Sequence, residues 1–221
     1  MPKTQPPVLV IFDCDGVLVD TERLAVPIDV EILNELGWAI SPAEVVARFV
    51  GKAETDCVRE IEEHLGHPIP PEASFETDPR YREAFERDLR PVDGVVEVLD
   101  ILEAAGVTTC VASGGTHEKM RFTLDLTGLY DRFEGRIYSS ADVARGKPAP
   151  DIFLHAMSSA PGAAAEQCAV VEDSPFGLTA GLAAGMSVFG YAGGVTPAES
   201  LRLPGTVVFD QMADLPPLLG L

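Results

Sequence analysis

Val8-Leu9-Val10-Ile11-Phe12-Asp13-Cys14-Asp15-Gly16-Val17-Leu18-Val19-Asp20 is the stretch that decides the fold. Residues 8–12 form a continuous apolar run, the pattern of a strand buried on both faces of a parallel sheet and too short to span a membrane. The run leads straight into two carboxylates one residue apart. Side chains alternate along an extended chain, so Asp13 and Asp15 face one side and Cys14 the other. Gly16 permits a sharp turn beside them. A strand followed by an ordinary Asp-Gly turn would read the same way. Two carboxylates aimed at one point, however, repel each other unless positive charge sits between them.

Downstream of Asp93, strand-like and helix-like segments alternate. Val95, Val98, Leu99 and Leu102 fall at helical spacing before Gly106, and 107–112 is a β-rich run ending at Ser113-Gly114-Gly115. Met120, Leu124 and Leu126 mark the next helix; Ile137-Tyr138 is a brief apolar run; 148–157 reads as helical. Strands are expected over 168–171, 186–191 and 206–209, with a helix over 177–184 between the first two. Repeated β-then-α order implies right-handed crossovers, a parallel sheet and helices on both of its faces.

The segment from Thr21 to Arg90 breaks this pattern, with helical spacing only. Leu24, Ile28, Ile32 and Leu36 repeat every four residues, with Pro27 expected to start or kink their helix. Val45, Val46 and Phe49 precede Gly51, and Val58, Ile61 and Leu65 precede Gly66. The segment holds 16 acidic and 8 basic residues. A helical block inserted directly after a catalytic-looking strand reads as a lid. The expected organisation is an α/β, Rossmann-like doubly wound core from residues 1–20 and 91–221, with an inserted all-helical cap at 21–90.

Polar groups follow four predicted strands or junctions. They are Asp13 and Asp15; Ser113 with Gly114, Gly115 and Thr116; Lys147 within Gly146-Lys147-Pro148-Ala149-Pro150-Asp151; and Glu172-Asp173-Ser174. Ligands of doubly wound sheets bind at the carboxyl ends of the strands, so these groups can converge. The set suits phosphoryl transfer. Asp13 can serve as nucleophile, forming an aspartyl-phosphate, and Asp15 as general acid and base. Asp13, the Asp15 carbonyl and Asp173 supply oxygens for Mg2+. Ser113 and the amides after it can hold phosphate oxygens, and Lys147 brings positive charge to phosphate and nucleophile. Each piece alone also fits a turn, a helix cap or a solvated loop.

The chain has 221 residues and a net charge of −19, which argues against nucleic acid or an anionic membrane as partner. Cys14, Cys57, Cys110 and Cys168 lack metal or redox spacing and read as buried thiols in a reducing compartment. His64, His67, His117 and His155 show no ligand spacing. The opening residues carry no apolar signal region, so a cytoplasmic location is expected.

DCDGVLVDTE, VASGG, GKPAPDIF and VVEDSPFGLTAGLAAGM resemble, in order, the four motifs of the haloacid dehalogenase-like hydrolases. The subgroup is that of phosphoglycolate phosphatase and β-phosphoglucomutase, and the resemblance covers nearly the whole chain. It implies a Rossmann-like core with a helical cap, Mg2+, an aspartyl-phosphate, and the roles given above for Asp13, Asp15, Ser113, Lys147 and Asp173. Glu172 would bind the metal directly or through water. Asp15 separates the chain from the dehalogenases and phosphonoacetaldehyde hydrolases, which lack that acid. The mutases' hinge histidine and cap arginine align with Ala25 and Glu54. A phosphatase for a sugar phosphate or sugar-acid phosphate, such as 6-phosphogluconate, is therefore expected, with a mutase or a phospho-aspartate signalling module as alternatives. Lys52, the only lysine in the cap, is expected to read the non-reacting part of a small phosphorylated metabolite. A monomer or dimer is expected.

Overall fold

In the computed structural model, which describes residues 5–70 and 78–221, the opening apolar run forms strand β1 (Leu9–Phe12). All four of its side chains are inaccessible to solvent. The first four residues, part of the stretch read for a leader, and 71–77 within the expected cap lie outside the described residues.

β1 lies at the centre of a six-stranded sheet with β2 (Thr108–Ser113), β3 (Ile137–Ser139), β4 (Cys168–Glu172), β5 (Ser187–Tyr191) and β6 (Thr206–Phe209). The order is β3-β2-β1-β4-β5-β6, and every pairing is parallel. Strand order reverses at β1, which opens a crevice between the strand ends on either side. Alternate β1 side chains serve opposite faces. Val10 and Phe12 join the helices α5 (Val95–Ala104), α6 (His117–Leu126), α7 (Tyr130–Phe133) and α11 (Leu215–Leu219); Leu9 and Ile11 join α8 (Asp151–Ala156) and α9 (Pro175–Ala183). Burying a side chain such as Phe12 contributes roughly 1.5–3 kcal/mol, so both faces hold the sheet in place.

The described residues of the inserted segment form four helices: α1 (Glu22–Glu35), α2 (Pro42–Phe49), α3 (Glu54–Leu65) and α4 (Pro79–Asp88). Ser41 and Glu44 form a reciprocal capping box ahead of α2, with Pro42 in its first turn. Pro27 does not start its helix; α1 begins five residues earlier and runs through it. Val26, Leu33, Trp38, Val45, Phe49 and Ile61 make a core within this segment, whereas Ile28, Ile32, Tyr81 and Phe85 join the cluster on the sheet. The chain enters and leaves the segment along one line. Val92 N–H donates to Leu18 O and Asp20 N–H to Arg90 O, both at 3.0 Å.

The four cysteines are buried and free, as their spacing predicted. None of the described helices is long and apolar enough to cross a membrane. The short α10 (Ala198–Leu201), α7 and α11 escaped the reading of the sequence, because four or five residues do not complete a helical repeat.

Candidate active site

Parallel register brings the polar strand ends to one level. Phe12 is flanked by Val111 of β2 and Val171 of β4, so Asp13, Ser113 and Glu172 emerge beside one another at the sheet's carboxyl edge. Lys147 reaches in from the loop before α8. Its Nζ donates to Asp13 Oδ1 at 2.7 Å, Glu172 Oε1 at 2.5 Å and Ala112 O at 3.1 Å. Only 1% of its side chain is exposed. Burial opposes the charge on this ammonium, but Asp13 and Glu172 hold it above the ordinary lysine value.

Glu172 is pinned from its other side. Its Oε2 accepts from the Ser174 amide and hydroxyl at 3.0 and 2.8 Å, while Ser174 Oγ caps α9 through the Gly177 amide. A Cβ on Gly177 would stand 1.9 Å from the Glu172 carboxyl, so a side chain there would dislodge the carboxylate. Asp173 is different. Both of its oxygens are buried and neither has a hydrogen-bond partner among the described residues. Burial, then Glu172, Glu22 and Asp13, raise its carboxyl well above the ordinary value, and burial pushes Asp13 up to about 7 against the pull of Lys147. Gly16, at φ +73°, lets the chain turn against Asp173; a Cβ there would lie 2.1 Å from Asp173 Oδ2.

Asp13, Glu172 and Asp173 can each offer an oxygen such that the three lie within 4.8 Å of one another. An all-oxygen set with an orphaned buried carboxylate fits a hard dication such as Mg2+. Asp173 has the free donor atoms. Glu172 already has both oxygens engaged, which suits an outer position.

Asp15 receives two donors that the sequence did not reveal. Thr21 Oγ–H reaches Oδ1 at 2.7 Å, and Lys119 Nζ reaches Oδ2 at 3.0 Å. Ser113 Oγ accepts from the Gly115 amide at 3.2 Å. Ser139 and Ser140, at the end of β3, hold the Gly115 and Gly114 carbonyls, each at 2.7 Å, and so fix the turn that follows Ser113. Residues 104 or 24 apart in sequence leave no local spacing to recognise.

A cavity of about 500 Å³ runs from Asp13, Asp15 and Ser113 into the inserted segment, past Glu22, Ala25, Asp29, Lys52, Glu54 and Tyr81. Lys52 therefore borders the cavity, but its Nζ bonds Glu60 at 2.6 Å and lies 4.9 Å from the Phe176 ring. The loop carrying it rests on the core. A Cβ on Gly51, at φ +82°, would sit 2.1 Å from Ser174 Oγ, and one on Gly114 would sit 2.9 Å from Lys52 O. None of the four histidines lines this cavity.

A crossover sheet with Asp13, Lys147 and Glu172-Asp173 gathered at its carboxyl edge finds its match in one family. Residues 8–185 fit the model of the haloacid dehalogenase-like hydrolases, and the chain belongs to that family. It is 30% identical over 213 residues to the 6-phosphogluconate phosphatase of Escherichia coli K12, covering 95% of this chain and 93% of that one. Two solved structures are also similar. A haloacid dehalogenase-like protein of Agrobacterium tumefaciens is 33% identical with a TM-score of 0.79, covering 96% of this chain and 97% of its own. A family hydrolase of Deinococcus radiodurans with bound phosphate and sodium is 30% identical with a TM-score of 0.73, covering 95% and 93%.

Proposed function

We propose that this enzyme is a Mg2+-dependent phosphatase. Its substrate would be the monophosphate ester of a small polyhydroxylated metabolite, a sugar phosphate or a sugar-acid phosphate such as 6-phosphogluconate. The carrying observation is the buried group at the strand ends: Asp13 bonded to Lys147, beside an Asp173 carboxylate with no partner of its own. Asp13 attacks phosphorus, and the bond from phosphorus to the ester oxygen breaks as Asp15 gives that oxygen a proton. Asp15 then takes a proton from water, whose oxygen attacks the aspartyl-phosphate and frees phosphate and Asp13. Lys147 fixes Asp13 in position, while Ser113 and the turn at Gly114 and Gly115 orient phosphate oxygens. Mg2+, held by Asp13, the Asp15 carbonyl and Asp173 with Glu172 behind them, would offset charge on the phosphoryl group.

The segment 21–90 acts as the lid, with Lys52 on the loop that closes against Ser174. Ala25 and Glu54 line the cavity where the mutases resembled by the sequence would place histidine and arginine, which favours transfer to water. Four buried free thiols suit a reducing, cytoplasmic compartment. A phosphate-release screen over some tens of phosphorylated metabolites, with Mg2+ present and Asp13→Asn as the blank, tests the reading. Release well above the blank is expected; none on any ester overturns it.

A further inference from the structure

The phosphatase reading leaves two kinds of leaving group, neutral polyol and sugar acid, and the far wall of the cavity bears on that choice. Among the described residues three cations border this space, and each already has a carboxylate. Lys52 bonds Glu60 at 2.6 Å, Lys119 bonds Asp15 at 3.0 Å, and Arg82 bonds Glu86 at 3.1 Å while its guanidinium covers the Phe122 ring. Two acids on the same wall have no ion pair of their own among the described residues, and the cation whose charge reaches both, Lys119, is already bound to Asp15. Asp29 is held by the neutral hydroxyl of Tyr81, and Glu22 has no ion-pair partner among the described residues.

Both carboxyls are hard to ionise, chiefly because they are buried. Burial, followed by the charge of Asp15, pushes Glu22 up to about 8. Burial pushes Asp29 up to about 6 even though the Tyr81 bond and the charge of Lys119 work against the rise. A space that resists ionisation of its own carboxyls resists a carboxylate brought in by a ligand for the same reason. Hydroxyl groups meet the opposite situation, because Glu22 and Asp29 offer acceptor oxygens 9 and 16 residues beyond the nucleophile along the chain, on a helix that borders the cavity.

We infer that the leaving group is an uncharged polyol, a sugar or sugar alcohol bonded through its hydroxyls to Glu22 and Asp29, and that these two residues discriminate against sugar acids. This rests on the phosphatase reading. The test compares two six-carbon open-chain esters that differ at one carbon, glucitol 6-phosphate and 6-phosphogluconate, with an aryl phosphate as reference. The polyol ester should have the higher kcat/KM by about tenfold or more, as expected for a like-charge penalty in a confined site. Measured at pH 9, where both carboxyls are ionised, the same ratio should fall in Asp29→Asn and Glu22→Gln, because each keeps a hydrogen-bonding group and removes a charge. Equal or better turnover of the sugar acid overturns the inference, as does turnover of the aryl ester alone or a ratio that neither variant moves. Aryl phosphate hydrolysis sustains the phosphatase reading whatever the ratio. No release from any of the three overturns both.

Discussion

Lys147 sits behind Asp13 at the strand ends and Lys52 borders the cavity from the inserted segment, and the two lysines are held in opposite ways. Lys147 is buried to 1%, spans Asp13, Glu172 and Ala112, and joins elements 134 residues apart. Lys52 is 18% exposed and bonds one glutamate eight residues along its own segment, with an aromatic ring as its contact to the core. The strand-end half is over-determined: moving any member exposes a buried charge. The inserted half is tied by partners that can exchange. On the proposed reading, rigid chemistry and adjustable recognition are thereby kept on different parts of the chain.

The nucleophile gives the sharpest test of that division. Asp13→Asn should lower kcat by about three orders of magnitude or more while the fold persists, as read by phosphate release and circular dichroism. Turnover above a tenth of wild type would break the assignment. Lys147→Met comes next, because it leaves Asp13 and Glu172 buried without their cation. A loss of about 3–5 kcal/mol is expected, a fall in Tm of roughly 6–20 °C for a chain of this size. Mg2+ should raise the Tm of the native enzyme, by about 2.7 kcal/mol equivalent at a hundred times its Kd, and Asp173→Asn should remove most of that gain. An equal gain in Asp173→Asn would dissociate the metal from this cluster.

Smaller effects belong to the inserted half. Asp29 is raised from 3.8 to about 6, so the folded state favours its protonated form and loses stability as pH climbs between those values. Asp29→Asn, which still accepts from Tyr81, should therefore stabilise by about 1–3 kcal/mol at pH 8 and by almost nothing below pH 4, as followed by thermal melts. A gain independent of pH would point to packing instead. Lys52→Met should shift stability by less than about 1 kcal/mol, since its ion pair is partly solvated. It should raise KM for the natural ester several-fold and leave the aryl ester nearly alone, given that Glu60 already shares its charge. A destabilisation like that of Lys147→Met would erase the contrast between the two lysines.

The strand-end half was legible because its signals are local. A strand, an abrupt carboxylate pair and a glycine occupy nine adjacent residues, and Ser113, Lys147 and Glu172-Asp173 each punctuate a junction of their own. Thr21 and Lys119 on Asp15, Ser139 and Ser140 under the glycine turn, and Asp29 with Tyr81 were not legible. Their partners meet only after separate elements pack, and threonine, serine or lysine on a helix face has no distinctive spacing. Lys52 was visible as a lone cap cation, but its pairing with Glu60 shows only in three dimensions.

The antiparallel crossing at Leu18–Asp20 and Arg90–Val92 bears on how such a molecule diversifies. Because the excursion departs and returns through neighbouring, mutually bonded backbone, the sheet registers no difference between a long detour and a short turn. Loop-closure entropy rises only as the logarithm of length, so detours of different size impose similar demands on the sheet. The junction is thus a docking port for exchangeable parts. A different helical insert, matched to the apolar strip around Ile28, Ile32, Tyr81 and Phe85, would inherit the whole phosphate-handling apparatus unchanged.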